Sequence, residues 1–452
     1  MKQVPYKLYA PEKTVDAVED GEKPAAGAIA FDVDRDLVFN TADLESYALS
    51  ALNPVIYDAF ILAASVEYAD RSIMRPSTAW RRDITLNVPV HDPQNWNDTK
   101  VLSALTDVLS FLTGDKWIIS FKKRKQPASL PKGGYLPIPS NTHSILAFSD
   151  GMDSRAVAGI VGSSLGQRLV RVRVGSKTYD RPSAREPFTA IPYSITFGRG
   201  NKDSTARSRG FKFALVTAIA AHLTDAQEIV IPESGQGAIG PAIVKVGHAY
   251  PDFRNHPQFT YRMERFVAAL FGSSARYVFP RLWFTKGETL KAYVDLTGEQ
   301  KWRDTKSCWR GNQWSSVNKK YRQCGACAAC LLRRLSVHAA GFSEPNDTYI
   351  CEDIGAASLS EAVEKSFSRR SAAFDQYAIA AALHLDHFAA LAGPDSVPHV
   401  RRHALLLSQA LNQSQAETFQ NLQGLVSRHA NEWKLFREHA GDRSYLNHWT
   451  AA

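Results

Sequence analysis

The sequence predicts an α/β protein. A central parallel-sheet domain spans residues 141–345, an α+β segment covers 1–140, and a helical C-terminal extension covers 346–452. Three observations predict this architecture. Strand-like and helix-like runs alternate through the middle of the chain, a small-residue turn stands between the first of those strands and its helix, and from about residue 355 the pattern is almost wholly helical.

In the first segment, a helix-like apolar run is expected around LESYALSALNPVIYDAFILAASVEYA. RDITLNVPV carries Ile84, Leu86 and Val88 at period two, which reads as a strand. VLSALTDVLSFLTG has apolar residues at helical spacing, and WIISF reads as another strand. The basic, Pro/Gly-rich KKRKQPASLPKGG reads as a solvated linker, with contact to phosphate as its rival.

The central region opens on the strand SILAFS. A helix follows with Val157, Ile160, Val161 and Leu165 on one face, and then the strand LVRVRVG. FKFALVTAIAAHL is apolar on most sides and reads as a buried helix. EIVIPESG and YVFP complete the strands, with the helix YRMERFVAALFG between them. Strands separated by helices argue for a parallel sheet covered on both faces, where ligands bind beyond the carboxyl ends of the strands. The tail shows amphipathic stripes in FDQYAIAAALHLDHFAALAG and HALLLSQALNQSQAETFQNLQGLVSRHANEWKLFREHAG, and no catalytic cluster. A helical cap or a partner-docking surface is the expectation there.

Composition narrows the class. With 452 residues, 44% hydrophobic and 22% charged, the chain is neither disordered throughout nor fibrous, and its length suggests two or three domains. No uncharged apolar stretch is long enough to span a membrane, and the first residues lack the apolar core of a secretory leader. A cytoplasmic protein is expected. The net charge of +9 fits a phosphate-bearing partner, but no aromatic-interleaved basic stripe marks a nucleic-acid surface.

Two motifs carry chemistry. The strand SILAFS runs into Ser149-Asp150-Gly151-Met152-Asp153-Ser154, after which a helix begins. Unpaired amides and the helix dipole at such a junction favour an anion. Gly151 admits close approach of a phosphate, Ser149 and Ser154 offer hydroxyls, and Asp153 either caps the helix or holds Mg²⁺. No Gly-Lys-Ser/Thr follows, so this is not a Walker loop. The second motif is Cys308 followed by Cys324, Cys327 and Cys330, a C-x15-C-x2-C-x2-C spacing. Four thiolates suit a structural Zn²⁺, with an iron–sulfur cluster or a redox or sulfur-carrying thiol as rivals. Cys351 reads as a buried thiol outside the set, and His222 as a core or surface residue.

The loop matches the S-G-G-x-D-S signature of the PP-loop ATP pyrophosphatases at five positions of six, and Asp150 takes the place of a glycine. A carboxylate ~4 Å from a phosphate costs up to ~4 kcal/mol at an effective dielectric near ~20. Its side chain must therefore point away or work through Mg²⁺, or the site uses ATP differently. Loop and cysteines in this order resemble the 7-cyano-7-deazaguanine synthase (QueC) family. Ser208-Arg209-Gly210-Phe211, EIVIPES, Pro251-Asp252-Phe253-Arg254, Phe284-Thr285-Lys286-Gly287-Glu288, Thr305-Lys306-Ser307-Cys308-Trp309 and CGACAACLLRR carry the resemblance over roughly residues 140–342.

The resemblance implies ATP-dependent adenylation of 7-carboxy-7-deazaguanine, with ATP, Mg²⁺ and Zn²⁺ as cofactors. It implies ATP contacts from Ser149, Asp150, Gly151, Met152, Asp153 and Ser154, and catalytic roles for Asp153, Lys286 and Arg209. Glu233, Ser234, Asp252 and Arg254 would meet the substrate. Members of this family are shorter, and long QueC-like proteins of this build resemble those of bacterial anti-phage operons, the Qat systems and one class of cyclic-nucleotide defence systems. There the implied product is an amide on the N-terminal amine of a partner protein. Alternatives are a 7-cyano-7-deazaguanine synthase using ammonia, a tRNA-modifying PP-loop enzyme, and a non-catalytic nucleotide-binding scaffold. Assembly stays open, with a homodimer as one option.

Overall fold

The computed structural model describes residues 11–39, 54–76, 79, 81–127, 141–149, 151–174, 188–191, 193–198, 202–203, 205–246, 250–310 and 315–450. In the first segment, β1 (Lys13–Val18), β2 (Ile29–Asp32), β4 (Asp83–Val90) and β5 (Lys116–Lys123) form one sheet in the order β2-β1-β4-β5. The short β3 (Leu37–Phe39) lies outside it. Every pairing in this sheet is parallel. This corrects the α+β expectation. Helices α1 (Pro54–Ser72) and α2 (Thr99–Thr113) form the crossovers into β4 and β5, a loop over 19–28 joins β1 to β2, and period-two alternation in one strand says nothing of the direction of its neighbours. Ile84, Leu86 and Val88 do face the core, as the alternation predicts. At the β5 edge, Asn97 mimics a neighbouring strand: its amide donates to the Phe121 carbonyl at 3.0 Å and its carbonyl accepts the Phe121 N–H at 3.3 Å. That contact blunts an otherwise open edge.

The basic stretch is not a simple solvated linker where it is described. Lys122 and Lys123 close β5, Arg124 is buried, and Lys122 and Lys125 pair with Glu22 at 2.9 and 2.6 Å. The remainder, 128–134, lies outside the described residues, as do 44–53 of the predicted first helix.

The central sheet contains β6 (Ser144–Ala147), β7 (Leu169–Val174), β8 (Phe188–Ile191), β10 (Glu228–Val230) and β11 (Arg276–Val278), ordered β11-β10-β6-β7-β8. All its pairings are parallel, as predicted. Its helices are α3 (Met152–Leu165), α4 (Arg209–Thr224), α5 (Pro257–Phe271) and α6 (Lys286–Thr297). A strand β9 (Tyr193–Ile195) pairs antiparallel with β3 and ties the two segments together. One apolar core runs through both, from Val15, Phe60 and Leu105 to Ile145, Phe211 and Phe266.

A buried ionic network reinforces this joint. Arg82, 1% exposed, donates to Asp70 Oδ1 at 2.5 Å and to Asp115 Oδ2 at 2.7 Å, and Arg75 adds bonds to both carboxylates. The other Asp70 oxygen accepts the Ser208 N–H at 2.8 Å, where α4 begins. Burial works against the charge of Asp115, but Arg82 and Arg75 outweigh it and hold its pKa below the ordinary value. That stabilisation is therefore present above the unfolded carboxylate pKa of about 4 and is lost as pH falls through the folded value. Arg82→Leu removes the buried partner of both carboxylates, leaves them to the less buried Arg75, and is expected to cost about 3–5 kcal/mol in urea unfolding. A loss under about 1 kcal/mol, the scale of an exposed ion pair, would refute the network's role.

The tail packs helices α7 (Ala328–Ala339), α8 (Ala372–Ala390), α9 (Val397–Leu411) and α10 (Gln415–Ala440) against the central unit. No described helix is long and apolar enough to cross a membrane.

Candidate active site and metal centre

β6 ends at Ala147 and α3 starts at Met152, so the phosphate-type loop sits at a carboxyl end of the sheet, where α/β folds bind ligands. The loop closes on itself. Ser149 Oγ accepts the Gly151 N–H at 3.2 Å and lies 3.0 Å from Ser154 Oγ, which donates to the Ser149 carbonyl at 2.6 Å. Gly151 occupies the N-cap and provides no side-chain cap, so the first amides of α3 keep their capacity for an anion. Met152 is buried in the core and contributes only its backbone. Asp150 lies outside the described residues.

Asp153, in the first turn of α3, points at Lys286, the first residue of α6, and their side chains form an ion pair. Both are nearly enclosed, at 9% and 8% exposure, so Lys286 is not an exposed helix-start lysine. Burial opposes the Lys286 charge, yet Asp153 and Glu233 outweigh it and raise its pKa. Glu233 faces the same pair. Burial first, and then the Asp153 carboxylate, push its pKa up to about 8, with Lys286 opposing. Burial and the neighbouring carboxylate thus both favour the protonated form of Glu233, and Asp153 Oδ1 is buried with no hydrogen-bond partner. Gly237 makes room for this side chain, since a Cβ there would lie 2.2 Å from Glu233 Oε1.

The remaining predicted residues lie in the same neighbourhood. Asn255 donates to Glu233 Oε2 at 3.2 Å. Ser234 Oγ is fully buried with no hydrogen-bond partner. Unmade bonds of this kind are rare in proteins and mark places where a ligand or water belongs. Arg254 and Asp252 are spent largely on each other, with Arg254 Nε 2.8 and 2.9 Å from the two Asp252 oxygens. Arg209 opens α4, exposed and lying over the Phe213 ring at 5.5 Å. Lost hydration against neighbouring protein, then the charge of Arg254, hold its pKa below the ordinary value. The structure so brings Asp153, Lys286 and Glu233 together, places Ser234 and Arg254 beside them, and keeps Arg209 at the rim.

Sequence reasoning did not reach Gln236, His429 and Glu432. Gln236 Nε2 lies 2.7 Å from His429 Nδ1 and 3.2 Å from Glu432 Oε2. These pairs are 193 and 196 residues apart, a separation that no motif spacing encodes.

The four cysteines converge as predicted. Their sulfurs all lie within 4.8 Å of one another, and Cys324 Sγ is 3.8 Å from Cys330 Sγ. A tetrahedral zinc with Zn–S bonds of ~2.3 Å sets sulfurs ~3.8 Å apart, so the set could hold that ion. Backbone N–H groups support the sulfurs: Cys324 N to Cys308 Sγ and Cys327 N to Cys324 Sγ are each 3.3 Å. Cys324, Cys327 and Cys330 are buried and Cys308 is half-buried. Arg333, fully buried, clamps the loop through the Thr305 carbonyl at 2.9 Å and Glu344 at 2.7 Å. Cys351 stands apart as a buried thiol 3.3 Å from the Tyr445 hydroxyl. His222 is half-buried, stacked on Phe271 at 5.0 Å.

Comparison with known proteins gives one family match. The model of the queuosine biosynthesis protein QueC matches residues 213–341, under a third of the chain. That range holds Glu233, Ser234, Asp252, Arg254, Lys286 and the four cysteines, and it starts after the phosphate-type loop and Arg209. No curated protein matches the chain.

Proposed function

We propose that the chain is an ATP-dependent, AMP-forming ligase that adenylates 7-carboxy-7-deazaguanine. The acyl group then passes to an amine, the N-terminal amine of a partner protein in an anti-phage system. The observation that carries this reading is the buried Asp153–Lys286 pair beside an uncapped helix N-terminus, with Glu233 facing it. The QueC match over 213–341 supports the substrate class.

In the proposed reaction a carboxylate oxygen of the acid attacks the α-phosphorus of ATP. The bond from that phosphorus to the bridging oxygen breaks, and pyrophosphate leaves. The amine nitrogen then attacks the acyl carbon, the bond to AMP breaks, and the amine gives up a proton. The α3 amides with Ser149 and Ser154 cradle the pyrophosphate, and Lys286 offsets the charge that builds as it leaves. Bound Mg²⁺ would be held by the Asp153 carboxylate and would neutralise phosphate charge. Arg209, at the rim, suits the substrate carboxylate or α-phosphate. Glu233 accepts from the N1–H and amino group of the deazaguanine edge, and Ser234 and Arg254 stand beside it.

The test follows α-labelled ATP with the acid, with and without ammonia. AMP formed only with this acid supports the reading, and intact-mass analysis of candidate partner proteins then identifies the acceptor. A product formed with ammonia alone assigns the chain to nitrile or amide synthesis. No AMP under any condition defeats the ligase assignment. The Glu233 role carries its own pH dependence. Donors on the deazaguanine edge favour the ionised carboxylate, so affinity for the acid should tighten by up to about tenfold per pH unit below the inflection and level off above pH 8. An isotherm series flat from about pH 6 to 9 would remove Glu233 from the contact.

A further inference from the structure

The start of α6, which presents Lys286, is held from outside the central sheet. Gln236 is 2% exposed, and its side-chain carbonyl accepts the Lys286 N–H at 2.7 Å. Its amide nitrogen faces His429 Nδ1 at 2.7 Å and Glu432 Oε2 at 3.2 Å, both on α10. His429 Nε2 lies 2.8 Å from the Leu385 carbonyl. A carbonyl only accepts, so the proton sits on Nε2, and Nδ1 receives the Gln236 bond. The second Glu432 oxygen accepts the Thr285 hydroxyl at 2.5 Å. Thr285 is the N-cap of α6 and forms a capping box with Glu288. The fit is close: a Cβ on Gly287 would lie 2.8 Å from Ala339 Cβ and 3.2 Å from Glu432 Oε1. The helical extension thus holds the cap of α6 directly and the first N–H of that helix through Gln236.

We infer that Glu432 and His429 of the C-terminal helix are positioning residues that fix the Lys286 amine against Asp153 through Thr285 and Gln236. The inference rests on the reading above only where it assigns Lys286 to the leaving pyrophosphate. It gives the extension a role inside the site: without α10, the start of α6 keeps its capping box and the Gln236 bond but loses the Glu432 and His429 contacts that hold Thr285 and Gln236.

The experiment measures the acylation rate of the Lys286 amine by a small activated ester, followed by peptide mass, in the full-length protein. Glu432→Ala is expected to speed modification at least about tenfold, with metal content and melting temperature retained. Glu432→Gln, which keeps an acceptor for Thr285, should restore slow modification, and Glu438→Ala on the exposed face of α10 should change nothing. Thr285→Val, a steric twin lacking the hydroxyl, provides a second route should Glu432→Ala fail to fold. Its effect and that of Glu432→Ala should sum to more than the double variant shows, because the Thr285–Glu432 bond is common to both. In the AMP assay, Glu432→Ala should lower kcat about tenfold with little change in KM for the acid. Faster modification of Lys286 with no AMP from the wild type upholds the positioning role and defeats the ligase reading. Unchanged modification in a folded Glu432→Ala or Thr285→Val protein overturns the positioning role, whatever the AMP assay shows.

Discussion

Cys327→Ser is expected to empty the metal site and to weaken the whole carboxyl-terminal half of the molecule. The cysteines do not sit on an isolated knuckle. Cys324, Cys327 and Cys330 belong to one apolar cluster with Leu331, Ile350, Leu385, Trp433 and Phe436, where the matched segment meets helices α8 and α10. Cys327 is also the N-cap of α7, the helix that bears Arg333. Metal binding of this type contributes folding free energy directly, and loss of the ion also loosens the apolar cluster packed on the cysteines. Removing one thiolate from a closed four-sulfur set should cost at least about 4 kcal/mol. At roughly 2–4 °C per kcal/mol for a unit of this size, the melting temperature should fall on the order of 10 °C. Metal analysis of the purified protein should give close to one zinc per chain before the change and little after it. Iron with labile sulfide would assign the cluster instead, and unaltered zinc and melting would remove Cys327 from the site.

What the sequence could and could not reveal follows from the range of each signal. The central strands and the buried helix α4 were legible because their periodicity is local: Val157 and Leu215 announce a buried face within one element. The cysteines were legible because three of the four lie within seven residues. Strand direction in the first segment was not, since β1 and β2 are short, and nothing within either strand tells whether the connection 19–28 returns the chain parallel or antiparallel. Arg124 looked like part of a solvated run, yet it is buried and pairs with Asp34, because β5 continues into the basic stretch. Lys286 and Glu233 were singled out with no means of telling buried from exposed. Glu432 and His429 read as polar positions on an amphipathic helix, which normally face water. Only the packing of α10 over the start of α6 turns them inward. The extra segments of the chain reach the site from two sides: Asp70 holds the start of α4, which bears Arg209, and Glu432 holds the start of α6, which bears Lys286.

Asp153→Ala should abolish release of pyrophosphate, and it is the sharper test of the site because two independent quantities must move together. The Asp153 carboxylate is the partner of Lys286 and the second-largest cause of the raised pKa of Glu233. Without it, the lysine loses the group that aims it. A pre-aimed donor at developing charge is worth about 10²–10³ in rate, so AMP formation should fall by at least that factor. Asp153→Asn keeps the volume but not the charge, and should be nearly as damaging. Glu233 should meanwhile ionise more readily. One source of repulsion is gone and Lys286 is freed to neutralise it, so the inflection in acid binding should move down from about 8 toward neutrality. Lys286→Met should drive the same inflection up, since it removes the cation that opposes both acids. Opposite displacements by the two variants would show that Asp153, Lys286 and Glu233 act as one electrostatic unit. Wild-type AMP formation in Asp153→Ala, with the inflection still near 8, would separate the phosphate-type loop from the chemistry and leave Glu233 with a binding role alone.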